Sequence, residues 1–374
     1  MSLTSTEMDN ACLAPAFMMP SQARHGRGAT INPASRYDSS VKEAFDDGWV
    51  TLELEDLPQL PTSLIEDHAK SALSYNDSPD ISFDRGLNPY RGCEHGCVYC
   101  YARPSHAYLG YSPGLDFETK ILFKPNLPEL LERELRKPGY QARVIGLGSN
   151  TDPYQPAERT LALTRGALEV LERFNHPVSI VTKSAGVVRD IDILARMAKR
   201  NLVRVWLSIT TLDGDLARRM EPRAATPARR LGAIKALAEA GIPAGVMASP
   251  MIPGINDAEM EKIIEASARQ GASSASYVLL RLPHELREIF AAWLETHMPD
   301  RAKHVLNLIR DTRNGNLNSS KFGDRFLGTG PYAELLSRRF ARAARQWGLN
   351  QRPELDTTQF RAFSGAAEQQ LMLL

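Results

Sequence analysis

The stretch Gly92-Cys93-Glu94-His95-Gly96-Cys97-Val98-Tyr99-Cys100-Tyr101 decides how the rest of the chain is read. It holds three of the four cysteines in a C-x3-C-x2-C spacing, while Cys12 stands far upstream. Thiols this close together do not make a disulfide scaffold, and in a chain of 374 residues they point to metal binding or redox chemistry. Three thiolates so spaced can wrap one iron–sulfur cubane, with Gly92 and Gly96 letting the backbone approach the sulfides. Electron-transfer clusters ordinarily take four cysteines, so a set of three leaves one iron open to bind a small molecule. Zinc is the structural alternative, with His95 or His106 completing a tetrahedron, although the paired C-x2-C arrangement is missing.

The composition surrounding this loop is that of an ordinary globular protein: 43% hydrophobic and 24% charged, with 45 Lys+Arg against 44 Asp+Glu. No apolar run approaches the roughly 20 residues of a membrane span, and the first thirty residues lack a secretory pattern, so the expectation is a cytoplasmic protein with no membrane partner. Neutrality hides an asymmetry. Residues 38–80 carry eleven acidic and two basic side chains, and residues 301–374 carry twelve basic and six acidic ones. The basic end can attract an anionic partner, or both ends are solvated faces.

Three parts are expected: an acidic, partly disordered amino-terminal arm over 1–80, a core over 81–300, and a basic, mainly helical extension over 301–374. In the core, short β-branched runs alternate with helical patterns, which argues for successive βα units and a parallel sheet. Strands are expected at Lys120–Phe123, Arg143–Leu147, Val178–Thr182, Val203–Thr210, Ala244–Ala248 and Ser276–Leu280, with a short one near Leu87–Arg91. Helices are expected at Glu158–Phe174, Arg189–Arg200 and Pro227–Ala240. Five or six such units curl into a full or partial barrel with its site at the carboxyl ends of the strands; an open doubly wound sheet is the alternative.

The cysteine loop with its aromatic at Tyr99 resembles the cluster signature of the radical S-adenosylmethionine (SAM) superfamily. Asn88-Pro89-Tyr90-Arg91-Gly92-Cys93 and Ser149-Asn150-Thr151-Asp152-Pro153-Tyr154-Gln155-Pro156-Ala157-Glu158 further resemble the branch that contains spore photoproduct lyase. The likeness covers about residues 81–280. It implies an α/β fold, a partial (β/α)6 barrel with an amino-terminal arm and a helical carboxyl-terminal extension. It also implies a [4Fe–4S] cluster on Cys93, Cys97 and Cys100 whose open iron chelates S-adenosylmethionine. One electron then splits the sulfonium to methionine and a 5′-deoxyadenosyl radical that abstracts hydrogen from a substrate. Cluster potentials span roughly −700 to +450 mV and this reduction needs the low end, which implies a flavodoxin or ferredoxin donor.

Cofactor-binding residues are sought at the strand ends, with Tyr99 beside the cluster. Ser149 and Asp152 follow one strand and can meet the methionine ammonium; Lys183 follows the next and can pair with the carboxylate, as similar residues do in the family. Ser208 and Thr210 supply alternating hydroxyls for the ribose. Strand termination and helix capping are the competing roles for these residue types. Glu221-Pro222-Arg223 and the segment Ser249–Asp257 also fall at strand-to-helix joints, and Met247 on the neighbouring strand is placed to pack on the adenine or simply to fill the core. Spore photoproduct lyases are understood to return hydrogen from a cysteine beyond the cluster triplet; no cysteine follows Cys100, and Cys12, Tyr99, Tyr101 and Tyr154 are the substitutes available. Near the carboxyl end a helix from Gly330 to about Trp347 sets Arg338, Arg342 and Arg345 on one face, able to track phosphates. The expected function is a radical SAM enzyme acting on an unidentified substrate, with nucleic acid as a candidate. An iron–sulfur protein that does not cleave SAM and a zinc-stabilised nucleic-acid-binding module are the alternatives.

Overall fold

The computed structural model describes residues 23–38, 60–352 and 354–362. Ten strands lie among them: β1 (Ser63–Glu66), β2 (Leu73–Tyr75), β3 (Arg85–Leu87), β4 (Tyr90–Arg91), β5 (Lys120–Phe123), β6 (Ile145–Leu147), β7 (Val178–Thr182), β8 (Val203–Ser208), β9 (Ala244–Met251) and β10 (Ser274–Leu279). The larger sheet runs β10-β9-β8-β7-β6-β3-β2. Its six strands from β3 to β10 are mutually parallel, and β2 pairs antiparallel at the edge. Helices join the parallel strands, so the architecture is the expected six-unit partial barrel, open between β10 and β2. Strands such as β7 and β8 are almost wholly buried, which is why their sequences read as unbroken apolar runs.

The short strand expected near Leu87–Arg91 is two strands, β3 and β4, in different sheets, and the first barrel strand is not Lys120–Phe123. Lys120–Phe123 forms a strand, but in a separate three-stranded sheet ordered β1-β5-β4. Only Ile121 of that strand is fully buried, and a barrel strand needs both faces covered. The first position belongs instead to β3, Arg85-Gly86-Leu87, paired in register with β6, Ile145-Gly146-Leu147. Each strand carries a central glycine, which weakens the apolar signal but permits close packing: a Cβ on Gly146 would lie 2.6 Å from the Phe83 ring. Residues 63–66 and 73–75, grouped above with the amino-terminal arm, supply β1 and β2.

The helix expected over Glu158–Phe174 is two helices, Glu158–Leu161 and Leu163–Arg173, broken at Ala162 with φ of 51°. The cause is Glu158, whose buried carboxylate accepts the backbone N–H groups of Thr164 at 3.0 Å and Arg165 at 3.4 Å and so caps the second helix. At the carboxyl end, the helix Gly330–Gln346 packs on β10 through Phe340 and Tyr277, whose ring centroids are 4.7 Å apart. Its Arg338, Arg342 and Arg345 point to solvent. Among the described residues no helix is long and apolar enough to cross a membrane.

The two ends of the barrel differ. At the amino ends of the strands, the cavity beside Arg204, Trp206 and Gly245 encloses about 20 Å³, room for roughly one water. A Cβ on Gly245 would lie 2.5 Å from the Trp206 ring. Gly245→Ala is therefore expected to destabilise the protein by about 1–3 kcal/mol through overpacking; a urea midpoint equal to that of the parent would show that the barrel floor is looser than this.

Candidate active site

The cysteine loop lies between β4 and the helix Asp116–Thr119, and buried polar groups fix its path. Arg103, fully buried, donates from Nε to the Cys97 carbonyl at 2.9 Å and from Nη2 to the Gly96 carbonyl at 3.1 Å. Its Nη1 donates to the carbonyls of Pro113 and Gly114, and Nη2 also pairs with Glu118 at 2.5 Å. The Glu118 carboxylate in turn accepts the N–H groups of Gly28 at 2.9 Å and Ala29 at 2.8 Å, which seats the amino-terminal segment against the loop. The approach is close, since a Cβ on Gly28 would sit 1.8 Å from the Gly96 carbonyl oxygen. Gly92 and Gly96 have φ of 79° and 67°, the left-handed conformation that glycine adopts freely. On the other side, the Gln155 amide accepts from the Glu94 N–H at 2.9 Å and donates to the Gly92 carbonyl at 3.3 Å.

Cys93 and Cys97 are buried and Cys100 is partly so. Burial pushes the Cys93 thiol well up and the Cys97 thiol up to about 12; Asp152 adds to the first, Lys183 opposes the second, and neighbouring thiols of the set raise both. Such thiols keep their protons at neutral pH until a metal displaces them. Among the described residues, no three His, Cys, Asp or Glu side chains converge as the ligands of one ion would. Two buried thiols and one partly buried thiol in one another's field suit a multi-iron cluster whose irons take one thiolate each, and that donor set fits the cluster expected of the C-x3-C-x2-C spacing.

The strand-end residues gather beside this loop because parallel strands deliver their carboxyl ends to one side. Asp152 is 8% exposed at its side chain. It accepts from Thr182 Oγ1 at 2.6 Å, from the Lys183 N–H at 2.7 Å and from the Tyr154 N–H at 2.9 Å, and lies 3.3 Å from His95 Nδ1. Burial works to raise its pKa, but His95 and these hydrogen bonds prevail and hold it at about 2. Its acceptors are thus spent on fixing the turn after β7. The Lys183 side chain, by contrast, has no ion-pair partner among the described residues; its ammonium faces the Tyr99 ring at 5.5 Å and acts on both Cys97 and Glu221.

Ser208 and Thr210 are buried; the Ser208 hydroxyl donates to the Ser249 carbonyl at 2.8 Å, and Thr210 Oγ1 lies 3.1 Å from that carbonyl. Thr210 also bonds Glu221 at 2.5 Å and lies 3.1 Å from the Tyr99 hydroxyl, which donates to Glu221 as well. Arg230 completes this buried network with an ion pair to Glu221 and a hydrogen bond to the Ser208 carbonyl at 2.9 Å. Burial would raise Glu221, yet Arg230 foremost, then Lys183, hold it at about 2. Ser149 receives a hydrogen bond from the Asn88 amide at 3.3 Å, while Asn88 Oδ1 accepts from the N–H of Asn150 at 2.9 Å.

Sequence reasoning gave no role to Asn88 and Gln155, although both lie in the stretches that carry the family resemblance, and it missed Arg103 and Arg230. Arg230 carried a signal of its own, a charge on the stripe of Ala233, Ile234 and Leu237 that its helix buries.

The family model of the radical SAM superfamily matches residues 87–266, which span the cysteine loop and most of the barrel. A Mycobacterium tuberculosis protein described as uncharacterised is 36% identical over 244 residues, 64% of this chain and 72% of its own length. Another, from Methanocaldococcus jannaschii, is 32% identical over 173 residues, 46% of this chain and 62% of its own. Among solved structures, spore photoproduct lyase complexed with dinucleoside spore photoproduct aligns with a TM-score of 0.55 at 18% identity, covering 76% of this chain and 79% of that one. A mutant of that lyase with bound AdoMet and dinucleoside spore photoproduct aligns at 0.54 and 16%, over 78% and 85%. These structures share the fold; the cysteine spacing, the six-stranded open barrel and the family match together place this chain in the radical SAM superfamily, to which it belongs.

Proposed function

We propose that the protein is an enzyme that binds a [4Fe–4S] cluster through Cys93, Cys97 and Cys100 and uses it with S-adenosylmethionine to abstract hydrogen from a substrate of the nucleic-acid class. The observation that carries this reading is the unpaired Lys183 ammonium beside Tyr99 and the buried cysteine loop, at the end of the barrel where the strands deliver their polar groups. When bound, the cluster supplies the electron that splits S-adenosylmethionine to methionine and a 5′-deoxyadenosyl radical.

The chain's own residues divide the work of binding and orientation. Lys183 offers a cation to the carboxylate of the cofactor, and Asp152 is a positioning residue that holds the Lys183 backbone in place. Ser149, steadied by Asn88, stands at the neighbouring strand end for the ammonium. Thr210, Ser208 and Tyr99 belong to a network that the Glu221–Arg230 pair locks, so their hydroxyls form a preset polar wall for the ribose. A flavodoxin or ferredoxin is the electron donor in this reading. The nucleic-acid substrate class draws support from the likeness to a lyase solved with a dinucleoside photoproduct and from a basic cleft of about 190 Å³ beside Asn88, lined also by Lys70, Arg91 and Lys124. Among the described residues there is no fourth cysteine beside the triplet, and Cys12 lies outside them.

Cys97→Ala is expected to lose most of the iron and sulfide bound after anaerobic reconstitution; full iron content in this variant would reject it as a ligand. Lys183→Ala is expected to keep the cluster and bind S-adenosylmethionine more weakly by about 1.5–3 kcal/mol, the range for a hydrogen bond to a charged group. Equal affinity in equilibrium dialysis would remove Lys183 from the cofactor site.

A further inference from the structure

Tyr101, the residue after the last loop cysteine, begins an alternating ladder of rings and guanidinium groups at the barrel mouth. The Arg281 guanidinium lies 5.1 Å from the Tyr101 ring centroid and 5.5 Å from that of Phe326. Arg325 then lies 4.8 Å from Phe326 and 4.9 Å from Phe322. Arg281 follows the carboxyl end of β10, and the Tyr101 hydroxyl donates to the Ser149 carbonyl just beyond β6. The ladder thus spans from the last barrel strand to the cysteine loop. The segment that carries Phe322 and Phe326 is tied to the turn between β2 and β3, because the Asp80 carboxylate accepts from the Gly323 N–H at 3.0 Å and from Arg325 at 2.8 Å. It therefore bridges the edges β10 and β2 between which the barrel is open.

The two arginines differ in what they are free to do. Arg325 is engaged by Asp80 and holds the segment in place. Arg281 has no hydrogen bond and no ion pair among the described residues; two rings hold its plane, and its five N–H donors are uncommitted. Tyr101 is 49% exposed and Phe322 is 52% exposed, so large ring surfaces face solvent at the same mouth. Packing alone gives no reason for a half-exposed ring to be paired with an arginine that has no acceptor. A ligand that brings both a flat aromatic surface and an anion satisfies the rings and the guanidinium together.

We propose that Tyr101, Arg281, Phe322 and Phe326 form a binding rim for an unpaired stretch of nucleic acid, with bases stacked on the exposed rings and a backbone phosphate on Arg281. This rests on the reading of a nucleic-acid substrate above and adds which strand state it takes and where it docks. A duplex offers no free base faces, so the rim selects single-stranded or locally opened strands.

The test is fluorescence anisotropy of the reconstituted full-length protein with a labelled oligothymidylate of about twelve nucleotides, a length within the usual single-strand site size. The parent protein is expected to bind it more tightly than the matching duplex and to lose affinity as salt rises. Arg281→Ala is expected to weaken binding about tenfold or more and to lower the salt slope by about one, the signature of one lost phosphate contact. Phe322→Ala, a change at an exposed ring, is expected to weaken binding several-fold with the salt slope unchanged, and Arg281→Lys to keep the slope while losing affinity. No binding by the parent, a preference for duplex, or parental affinity in both Arg281→Ala and Phe322→Ala would overturn the proposal. Formation of 5′-deoxyadenosine from S-adenosylmethionine, assayed without any oligonucleotide, reports separately on the radical chemistry, so failure of the rim and failure of the enzymatic reading are told apart.

Discussion

The buried pair of Arg103 and Glu118 is the interaction on which the site depends. A guanidinium and a carboxylate without solvent contact are costly to bury, and a well-packed apolar substitute is often no less stable. Here every N–H of the guanidinium has an acceptor, and four of the five acceptors are carbonyls of the cysteine loop and of the turn before the helix Asp116–Thr119. The carboxylate extends the same network to the backbone of Gly28 and Ala29. The pair therefore converts a glycine-bearing loop, which alone would sample many conformations, into one path that brings three thiols together. Gln155 performs the matching task from the β6 side, so the loop is clamped between the barrel and the amino-terminal segment.

The barrel supplies the second constraint. Six parallel strands bring their polar termini to one end, and the loop covers that end. Asp152 and Glu221 illustrate how charge is handled there: both are held at about 2 despite burial, Asp152 by His95 and its hydrogen bonds and Glu221 by Arg230 and Lys183. Lys183 is left without such compensation among the described residues, and Arg281 at the rim is in the same state. A cation placed in a cleft with no partner of its own is a sign of a ligand that supplies the opposite charge.

Much of this was legible in the residues. The runs at Val178–Thr182 and Val203–Ser208 are strands because β-branched residues buried on both faces have no other comfortable state, and the parallel order follows from the helices between them. The cysteine spacing pointed to the radical SAM superfamily, and the family match over residues 87–266 agrees. What stayed hidden depends on contacts distant in sequence: Glu94 and Gln155 are 61 positions apart, and nothing local to either suggests the bond. The short strand expected near Leu87–Arg91 only touched β3 at Leu87, because a three-residue strand centred on glycine has no periodicity to fix its bounds, and Lys120–Phe123 carried a stronger β-branched signal. The helix break at Ala162 was invisible for a related reason, since the cap comes from Glu158, a residue that reads as an ordinary helix former.

The central claim is that the three loop thiols create a metal centre that activates S-adenosylmethionine. The most direct measurement is chromatographic assay of 5′-deoxyadenosine after anaerobic reconstitution with iron and sulfide and reduction with dithionite, in the parent and in Cys93→Ala. The account predicts deoxyadenosine from the parent and none above background from the variant. A parent protein that binds its full cluster yet forms no deoxyadenosine, or a variant that forms as much as the parent, would contradict it.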